Sequence, residues 1–253
     1  MAEPGKIVVV GATGLVGAKV VEILTAAGHD VRPVSRRTGV DVLTGRGITE
    51  AFSGAGVVID VTDSPSYEDA ALMEFFGTAT ENLVTAGHAL QIGHHVALSV
   101  VGADDMPNSG YMRAKVVQER KVAGSGVPYT ILRATQFFEF AGGIADYCTD
   151  GNVVRVPDAR IQPVAAADVA AQLASVAMEP AANGIAEIGG PESFSFEEFI
   201  GTALAHGADP RTLVTDPGAQ YFGTALNRTT LLADAGAASG TTRFRDWLAA
   251  QSR

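Results

Sequence analysis

The stretch KIVVVGATGLVG, residues 6–17, decides the fold of this chain. Its first five residues, Lys6–Val10, form an apolar, β-branched run that is typical of a buried strand. Gly11 ends the run, and from Leu15 onward apolar residues recur at helical spacing until the sequence reaches Gly28. The stretch therefore predicts a strand, a tight glycine turn and a helix in direct succession.

Three glycines define this turn. Gly11 permits the tight turn, Gly14 lets the backbone approach a pyrophosphate, and Gly17 lets the helix pack closely against the strand. The N–H groups at the start of the helix would bind the phosphates. A turn with a purely structural role is the alternative, but strand, motif, helix and second strand occur in the order that a dinucleotide site requires. The sequence therefore predicts a dinucleotide at residues 11–17.

Strands and helices alternate along the first half of the chain. The predicted strands are Lys6–Val10, Asp30–Val34, Val57–Val61, Val96–Val101 and Tyr129–Leu132, and the predicted helices between them include Ala70–Ala86 and Tyr111–Ala123. This alternation predicts an α/β fold, a doubly wound parallel sheet (Rossmann-like) with helices on both faces. Ligands of such sheets bind at the carboxyl ends of the strands, where the strand order reverses.

The pattern is less regular after Ala134. We predict helices at Phe137–Tyr147, Ala165–Met178 and Ser195–His206, the last with a capping box of Ser195 and Glu198, and strands at Val153–Val156 and Ile185–Ile188. No linker or low-complexity run separates the two halves. We therefore expect one dinucleotide-binding domain over residues 1–253, in which residues 135–253 contribute a smaller C-terminal region that covers and binds the substrate.

The end of the second strand indicates which dinucleotide binds. NAD sites place an Asp or Glu there, about 20 residues beyond the glycines, to bind the ribose hydroxyl. This chain has Ser35, Arg36 and Arg37 instead, and Asp30 lies at the wrong end of the strand. No acidic side chain there would repel the 2′-phosphate of NADP(H), and the guanidinium group of arginine binds phosphate well. The alternative is that the two arginines merely face solvent. We therefore expect NADP(H) in preference to NAD(H).

Ser99, Tyr111 and Lys115 fall near the carboxyl edge of the predicted sheet. Tyr111 and Lys115 are four residues apart in a helix and therefore share one face, and Ser99 lies near the end of the fourth strand. An adjacent ammonium would lower the pKa of the tyrosine, and a serine hydroxyl could hold a carbonyl beside it. The alternative is that the four-residue spacing arises by chance and that Lys115 is an ordinary surface lysine. The position at this edge favours the catalytic interpretation.

Composition excludes several classes of protein. The chain has 253 residues, of which 47% are hydrophobic, and this is enough to bury a core. Its net charge of −10 opposes binding to nucleic acid and anionic membranes. The single cysteine, Cys148, fits a reducing compartment, and we find no targeting segment or membrane-spanning run. We therefore expect a soluble cytoplasmic protein, a monomer or small homo-oligomer, that binds a small molecule and neither nucleic acid nor membrane.

Together these motifs resemble the short-chain dehydrogenase/reductase superfamily, specifically its atypical, NmrA-like branch of NAD(P)-binding proteins. The resemblance covers nearly the whole chain, and the string PYTILRATQF, residues 128–137, is its most specific part. It implies that Tyr111 donates a proton, that Ser99 assists, and that Lys115 binds the nicotinamide ribose. The implied cofactor-binding residues are Gly11, Ala12, Thr13, Gly14, Leu15, Val16, Gly17, Ser35, Arg36, Arg37, Thr62, Lys115, Ala134, Thr135, Gln136 and Phe137.

The resemblance implies NADP(H)-dependent reduction of a small or apolar aldehyde or ketone carbonyl by hydride transfer, with reduction of an activated alkene as a close variant. A non-catalytic, redox-sensing regulator of a protein partner is the alternative, because some relatives bind the cofactor without turning it over. Those relatives commonly lose the tyrosine, so Tyr111 favours catalysis. One departure is that Asp60–Pro65, and no Asn-Asn-Ala-Gly segment, follows the third strand.

Three further groups of residues are candidates for a functional role. Gln136, Phe137 and Phe138 follow the fifth strand and are expected to line a substrate pocket, although the phenylalanines could equally belong to the core. His94 and His95 would point to opposite faces of a strand, so we expect no metal site and interpret the pair as a polar edge. For Asp168 we expect a helix-capping role.

Overall fold

The computed structural model describes residues 5–251, and its first element is the predicted strand over Lys6–Val10. Three single-turn 3-10 segments, Arg36–Thr38, Ala103–Asp105 and Phe138–Phe140, accompany the regular elements. In chain order these are β1 (Lys6–Val10), α1 (Leu15–Ala26), β2 (Val31–Val34), α2 (Ile48–Phe52), β3 (Ala55–Asp60), α3 (Asp69–Ala89), β4 (His94–Val100), α4 (Gly110–Ala123), β5 (Tyr129–Ala134), α5 (Ala141–Tyr147), β6 (Thr149–Asp150), β7 (Val153–Val156), β8 (Arg160–Ile161), α6 (Ala166–Met178), β9 (Gly184–Gly189), β10 (Phe194–Ser195), α7 (Phe196–His206), β11 (Thr212–Thr215), β12 (Ala238–Ser239) and α8 (Phe244–Gln251).

The central sheet has seven strands in the order β12-β9-β5-β4-β3-β1-β2, and it is parallel. The predicted Rossmann-like α/β fold is therefore confirmed. β1 lies between β2 and β3, so the chain crosses to the opposite side of β1 after β2. The strand order thus reverses at β1, and the carboxyl ends of β1 and β3 form the position where ligands of such sheets bind.

The chain divides into two compact units. Within the described residues, the first comprises the chain up to Ser99 together with Gly110–Arg133 and Val169–Ala186. Alternate β1 residues such as Val8 and Val10 are buried with Phe52 of α2 and Leu83 of α3. This packing follows from the uninterrupted apolar character of β1, since a parallel strand is covered on both faces.

The second unit comprises Val100–Ser109, Ala134–Asp168 and the chain from Glu187 onward. It contains a small sheet of order β11-β7-β6 and the antiparallel pair β8–β10. The predicted capping box at the start of α7 is confirmed: the Glu198 N–H donates to Ser195 Oγ at 3.1 Å, and the Ser195 N–H donates to Glu198 Oε2 at 2.7 Å. Phe199 of α7 packs against Phe244 of α8 at a ring-centroid distance of 4.7 Å.

Two expectations about individual residues are wrong. His94 and His95 do not form a polar edge, because β4 lies between β3 and β5 and both histidines are buried within it. Asp168 does not cap α6. Its carboxylate accepts hydrogen bonds from the N–H groups of Thr241 and Thr242 at 2.9 and 2.8 Å, while the Ala166 N–H at the start of α6 donates to the Glu139 carboxylate.

No helix within residues 5–251 combines the length and the apolar character needed to cross a bilayer.

Candidate active site

The glycine turn has the geometry that its sequence predicted. Gly11 has a φ of +86°, and a Cβ on it would lie 2.7 Å from the carbonyl oxygen of Val61. A Cβ on Gly17 would lie 2.2 Å from the Gly11 carbonyl oxygen, so only glycine allows α1 to approach β1 this closely. Gly14 differs, because a Cβ there would meet only the Gly11 oxygen, at 3.3 Å. Its outer side is therefore open to a ligand.

The start of α1 has the features of a phosphate-binding site. Gly14 occupies the N-cap position, and no side chain caps the helix. The twelve residues of α1 place a partial positive charge at this end, and the N–H groups of the first turn remain available to an anion. Thr13 and Leu15 are exposed beside Gly14, whereas Ala12 and Val16 are buried. Residues 11–17 therefore fit the pyrophosphate of a dinucleotide, with backbone groups as the donors.

Ser35, Arg36 and Arg37 lie directly after β2. The Ser35 N–H donates to Thr38 Oγ1 at 2.9 Å, which fixes a single 3-10 turn. Arg36 and Arg37 are exposed, and among the described residues no carboxylate pairs with either guanidinium. The Ser35 hydroxyl oxygen is buried without a hydrogen-bond partner. This segment thus presents unpaired cations and a hydroxyl at the carboxyl end of the strand next to β1.

The segment after β3 is organised by a buried carboxylate. Asp60 Oδ1 accepts from the Thr62 N–H at 3.0 Å and from the Thr62 hydroxyl at 2.7 Å. Asp60 Oδ2 accepts from Gln118 Nε2 at 3.0 Å, and Gln118 Oε1 accepts from Lys115 Nζ. A second Lys115 hydrogen bond, 2.7 Å long, goes to the Leu98 carbonyl. The resulting network fixes the lysine from β3, β4 and its own helix.

Burial lowers the pKa of the Lys115 ammonium below its ordinary 10.5. Asp60, Asp63 and Glu119 oppose this shift by attracting the positive charge. The ammonium also lies 4.6 Å from the ring centroid of Phe76, which provides a cation–π contact. These attractive interactions offset the free-energy cost of burying the charged ammonium.

Tyr111 of α4 packs among aromatic side chains near the Asp63 carboxyl. Its ring lies 6.1 Å from that of Tyr67, whose pKa is raised by burial and by the charge of Asp63. Phe76 packs edge-on against Tyr111 at 5.8 Å. Two aromatic rings therefore fix the position of Tyr111.

The expected effect of Lys115 on Tyr111 is not found. Burial raises the pKa of Tyr111 well above its ordinary 10, and the negative charge of Asp63 raises it further. The Lys115 ammonium instead donates to the Leu98 carbonyl and to Gln118 Oε1. Tyr111 is accordingly a neutral phenol that keeps its proton. A proton donor must carry its proton, and Tyr111 does. The sequence had predicted a pKa lowered by an adjacent ammonium, whereas the structure gives a raised pKa.

Asp63 is an exposed residue with an altered pKa. Loss of hydration raises the pKa of its carboxyl above the ordinary 3.8. The charge of Lys115, the Ser64 N–H and the two tyrosine hydroxyls act in the opposite direction.

Besides Ser35, two predicted site residues have buried side-chain polar atoms without hydrogen-bond partners. Ser99 is 2% exposed and its hydroxyl has no partner, as expected for a group that binds a ligand. Both amide atoms of Gln136, in the second unit, are likewise unpaired. Such atoms are costly unless a ligand or water satisfies them. Both residues had been predicted from sequence as site residues.

The residues that follow β5 have different surroundings. Thr135 Oγ1 donates to the Gln162 carbonyl at 2.5 Å. Ala134 and Thr135 are both buried, and Phe137 is half-buried and stacked on Phe140 at 5.4 Å. Phe138 is 1% exposed and packs against Phe244 at 5.0 Å, so it belongs to the aromatic core of the second unit. This position speaks against Phe138 as a substrate contact.

Sequence reasoning missed Asp63, Tyr67 and Gln118. Asp60 and Asp63 had been noted only as a departure from the superfamily pattern, although two carboxylates directly after a buried strand are a signal for the ligand edge of a parallel sheet. Tyr67 and Gln118 carry no comparable signal, because their contacts join segments far apart in the chain. Within residues 5–251, no group of three His, Cys, Asp or Glu side chains is placed to hold a metal ion.

A family model described as NAD(P)H-binding matches residues 11–180, more than half of the chain. The chain belongs to this NAD(P)H-binding family. It is 30% identical over 209 residues to a (4-alkanoyl-5-oxo-2,5-dihydrofuran-3-yl)methyl phosphate reductase of Streptomyces griseus subsp. griseus, covering 76% of this chain and 70% of the relative. It is 28% identical over 223 residues to the chloroplastic divinyl chlorophyllide a 8-vinyl-reductase of Cucumis sativus, covering 73% of this chain and 52% of the relative. The chain thus spans about half the length of the cucumber protein.

The fold has a solved counterpart in a short-chain dehydrogenase/reductase superfamily protein from Agrobacterium tumefaciens with bound NAD. The TM-score is 0.71 at 16% identity, and the match covers 97% of each chain. The predicted Rossmann-like fold thus has a counterpart in that superfamily, and the family model confirms the predicted NAD(P)H binding.

Proposed function

We propose that this protein is an NADP(H)-dependent oxidoreductase that reduces a small or apolar aldehyde or ketone, with Tyr111 as the proton donor. The observation that carries the proposal is the position of Tyr111 on α4, one helical turn from the buried and fixed Lys115; burial and the charge of Asp63 raise the pKa of Tyr111, so that its hydroxyl keeps its proton. A neutral phenol can protonate the oxygen of a carbonyl as that oxygen gains negative charge. Reductases among the relatives support the reaction class.

The roles of the remaining residues follow from their contacts. When bound, the dinucleotide supplies the hydride. The unpaired Ser99 hydroxyl hydrogen-bonds the substrate oxygen beside Tyr111. Lys115, fixed by Leu98 and Gln118, places a positive charge near the nicotinamide ribose and stabilises negative charge developing on the substrate.

Preference for NADP(H) rests on the segment after β2. Arg36 and Arg37 are exposed cations without a carboxylate partner among the described residues, and the Ser35 hydroxyl is unpaired beside them. Arg36→Ala and Arg37→Ala should each weaken NADPH binding by about tenfold, equivalent to about 1.4 kcal/mol, with little effect on NADH. Fluorescence titration with both cofactors measures this. Equal losses for NADPH and NADH would refute the preference, and Arg32→Ala in β2 is the control.

Substrate binding is assigned to residues 135–253. Gln136 offers a buried amide with both atoms unpaired, which suits a substrate that carries a hydrogen-bonding oxygen or nitrogen. Phe137 offers a half-buried ring. Gln136→Leu should raise the KM for such a substrate, and an unchanged KM would refute the assignment.

Reduction of an activated alkene is the second candidate, favoured by the name of the cucumber relative, a vinyl-reductase. One experiment separates the candidates: NADPH consumption is followed against a panel of aldehydes, ketones and activated alkenes, with Tyr111→Phe as the test variant. Turnover of carbonyls that Tyr111→Phe lowers by about 100-fold or more supports the first proposal. NADPH binding without turnover, equal in both proteins, would instead support a redox-sensing regulator.

A further inference from the structure

In the described part of the chain, the groups that bind the Lys115 ammonium are all neutral. The ammonium donates to the Leu98 carbonyl at 2.7 Å and to Gln118 Oε1, and the ring centroid of Phe76 lies 4.6 Å away. Among residues 5–251, no carboxylate lies within ion-pairing distance of it. Lys115 is thus a buried cation whose charge no ion pair neutralises.

A carboxylate is nevertheless close, because Asp60 is one side chain away in the hydrogen-bond network. Gln118 Nε2 donates to Asp60 Oδ2 at 3.0 Å, while Gln118 Oε1 accepts from Lys115. The other carboxylate oxygen of Asp60 accepts from the N–H and the hydroxyl of Thr62 at 3.0 and 2.7 Å. The buried amide of Gln118 therefore lies between the carboxylate and the ammonium.

Glutamine suits this position because its amide can donate to a carboxylate and accept from an ammonium at the same time. Only one orientation of the amide satisfies both neighbours, since its NH2 group cannot accept a hydrogen bond. An ionised carboxylate in its place would pair directly with Lys115 and would lie against Asp60. Gln118 thus fixes the position of the ammonium without cancelling its charge.

We propose that Gln118 is a positioning residue that separates Lys115 from Asp60 and so keeps an unpaired positive charge available to the cofactor and the reacting oxygen. The inference rests on the proposed reductase function, in which Lys115 stabilises negative charge developing on the substrate. A charge outside an ion pair stabilises that negative charge more strongly than the same charge inside one. Gln118 acts only through Lys115.

The first test needs neither turnover nor cofactor. The lysines of the chain are Lys6, Lys19, Lys115 and Lys121. Carbon-13 NMR of labelled lysine side chains can therefore follow each of them, and substitution of the other three by arginine identifies the signal of Lys115.

Burial holds the pKa of Lys115 below its ordinary 10.5. In Gln118→Glu, the introduced carboxylate would contact the ammonium, and this attraction should raise the pKa of Lys115 above its value in the wild type. An identical titration of Lys115 in the two proteins would overturn the proposal.

The second test is the pH dependence of reduction by Gln118→Glu. At low pH the introduced carboxyl is protonated, so it can donate to Asp60 and accept from Lys115 as the amide does. As the pH rises, the carboxyl ionises and pairs with Lys115. The ratio of kcat in the variant to kcat in the wild type should therefore lie near one at low pH. It should fall by about tenfold at high pH, less than the loss of a complete electrostatic donor would cause.

Other titratable groups act on this network in both proteins. Asp63 and Glu119 attract the charge of Lys115, and Asp60 attracts a proton to the buried His95 of β4. Because these groups are present in the wild type and in the variant, the ratio of the two kcat values isolates the introduced carboxyl.

Thr130→Val separates positioning from stability. The buried Thr130 hydroxyl hydrogen-bonds with His94 Nε2 at 2.8 Å and accepts from the Ala182 N–H at 3.0 Å, outside the network of Gln118. Both variants should lower the unfolding midpoint, but only Gln118→Glu should show a kcat ratio that falls with pH. The same fall in Thr130→Val would contradict a specific role of Gln118.

The outcomes distinguish the two proposals. A constant kcat ratio in Gln118→Glu, with normal turnover by the wild type, would overturn the role of Gln118 and leave the reductase function intact. No turnover by the wild type with NADPH bound would overturn the reductase function, and the NMR titration would still decide whether Gln118 separates the two charges.

Discussion

Gly17→Ala tests whether the glycine turn is sterically closed. The added Cβ would lie 2.2 Å from the Gly11 carbonyl oxygen and 3.0 Å from the Ala12 Cα. Both neighbours are backbone atoms, so α1 and β1 must separate by roughly 1 Å to restore ordinary contact. Overpacking of this kind costs about 1–3 kcal/mol or more, and the better helix propensity of alanine returns up to about 1 kcal/mol. We expect a net loss of about 2 kcal/mol, which lowers the unfolding midpoint by roughly 4–8 °C in a chain of this size.

Gly77→Ala is the matched control. Gly77 lies inside α3, and a Cβ there would meet nothing within 4 Å, so the substitution should stabilise the protein by about 0.4–1 kcal/mol. Thermal unfolding of both variants and of the wild type measures the contrast, and NADPH titration should reveal weaker binding only in Gly17→Ala. Equal unfolding midpoints for the two variants would refute the steric argument.

Three further predictions concern stability. Burial lowers the pKa of His95 below its ordinary 6.5, so the unfolded chain binds a proton that the folded chain excludes. The free energy of unfolding should therefore fall as the pH drops below about 6.5. In urea titrations, His95→Leu should make the free energy of unfolding depend less on pH. Glu119 and Arg133 form a nearly buried ion pair with a 2.6 Å contact. Glu119→Ala should lower the free energy of unfolding, measured with urea, by about 3–5 kcal/mol, because it leaves a buried charge without its partner. Replacing both residues by methionine should lower it much less. Asp168→Ala removes the acceptor of the N–H groups at residues 241–242, which should cost about 1–3 kcal/mol and speed their amide hydrogen exchange; unchanged exchange there would contradict the assignment.

Much of the first unit could be predicted because its signals are local. The run Lys6–Val10 is apolar without interruption, and Gly11 adopts a conformation that other residues avoid, so strand and turn follow from a few adjacent residues. The start of α1 at Leu15 and the capping box at Ser195 are local for the same reason. The second unit was harder. Strands of two residues, such as β8 and β12, are too short to show an alternation of apolar and polar residues. They form because a strand that is distant in the sequence pairs with them.

For the active site, the sequence by itself determined the glycine turn, the two arginines after β2 and the spacing of Tyr111 and Lys115, because steric limits and helical periodicity act over a few residues. Only the tertiary structure decided what each side chain contacts. It buried Tyr111 on α4 and brought the charge of Asp63 near it, so that the pKa of the tyrosine rises, and it directed Lys115 to Leu98 and Gln118. Charge interactions and loss of hydration depend on distance in space, and the folding of the whole unit sets those distances.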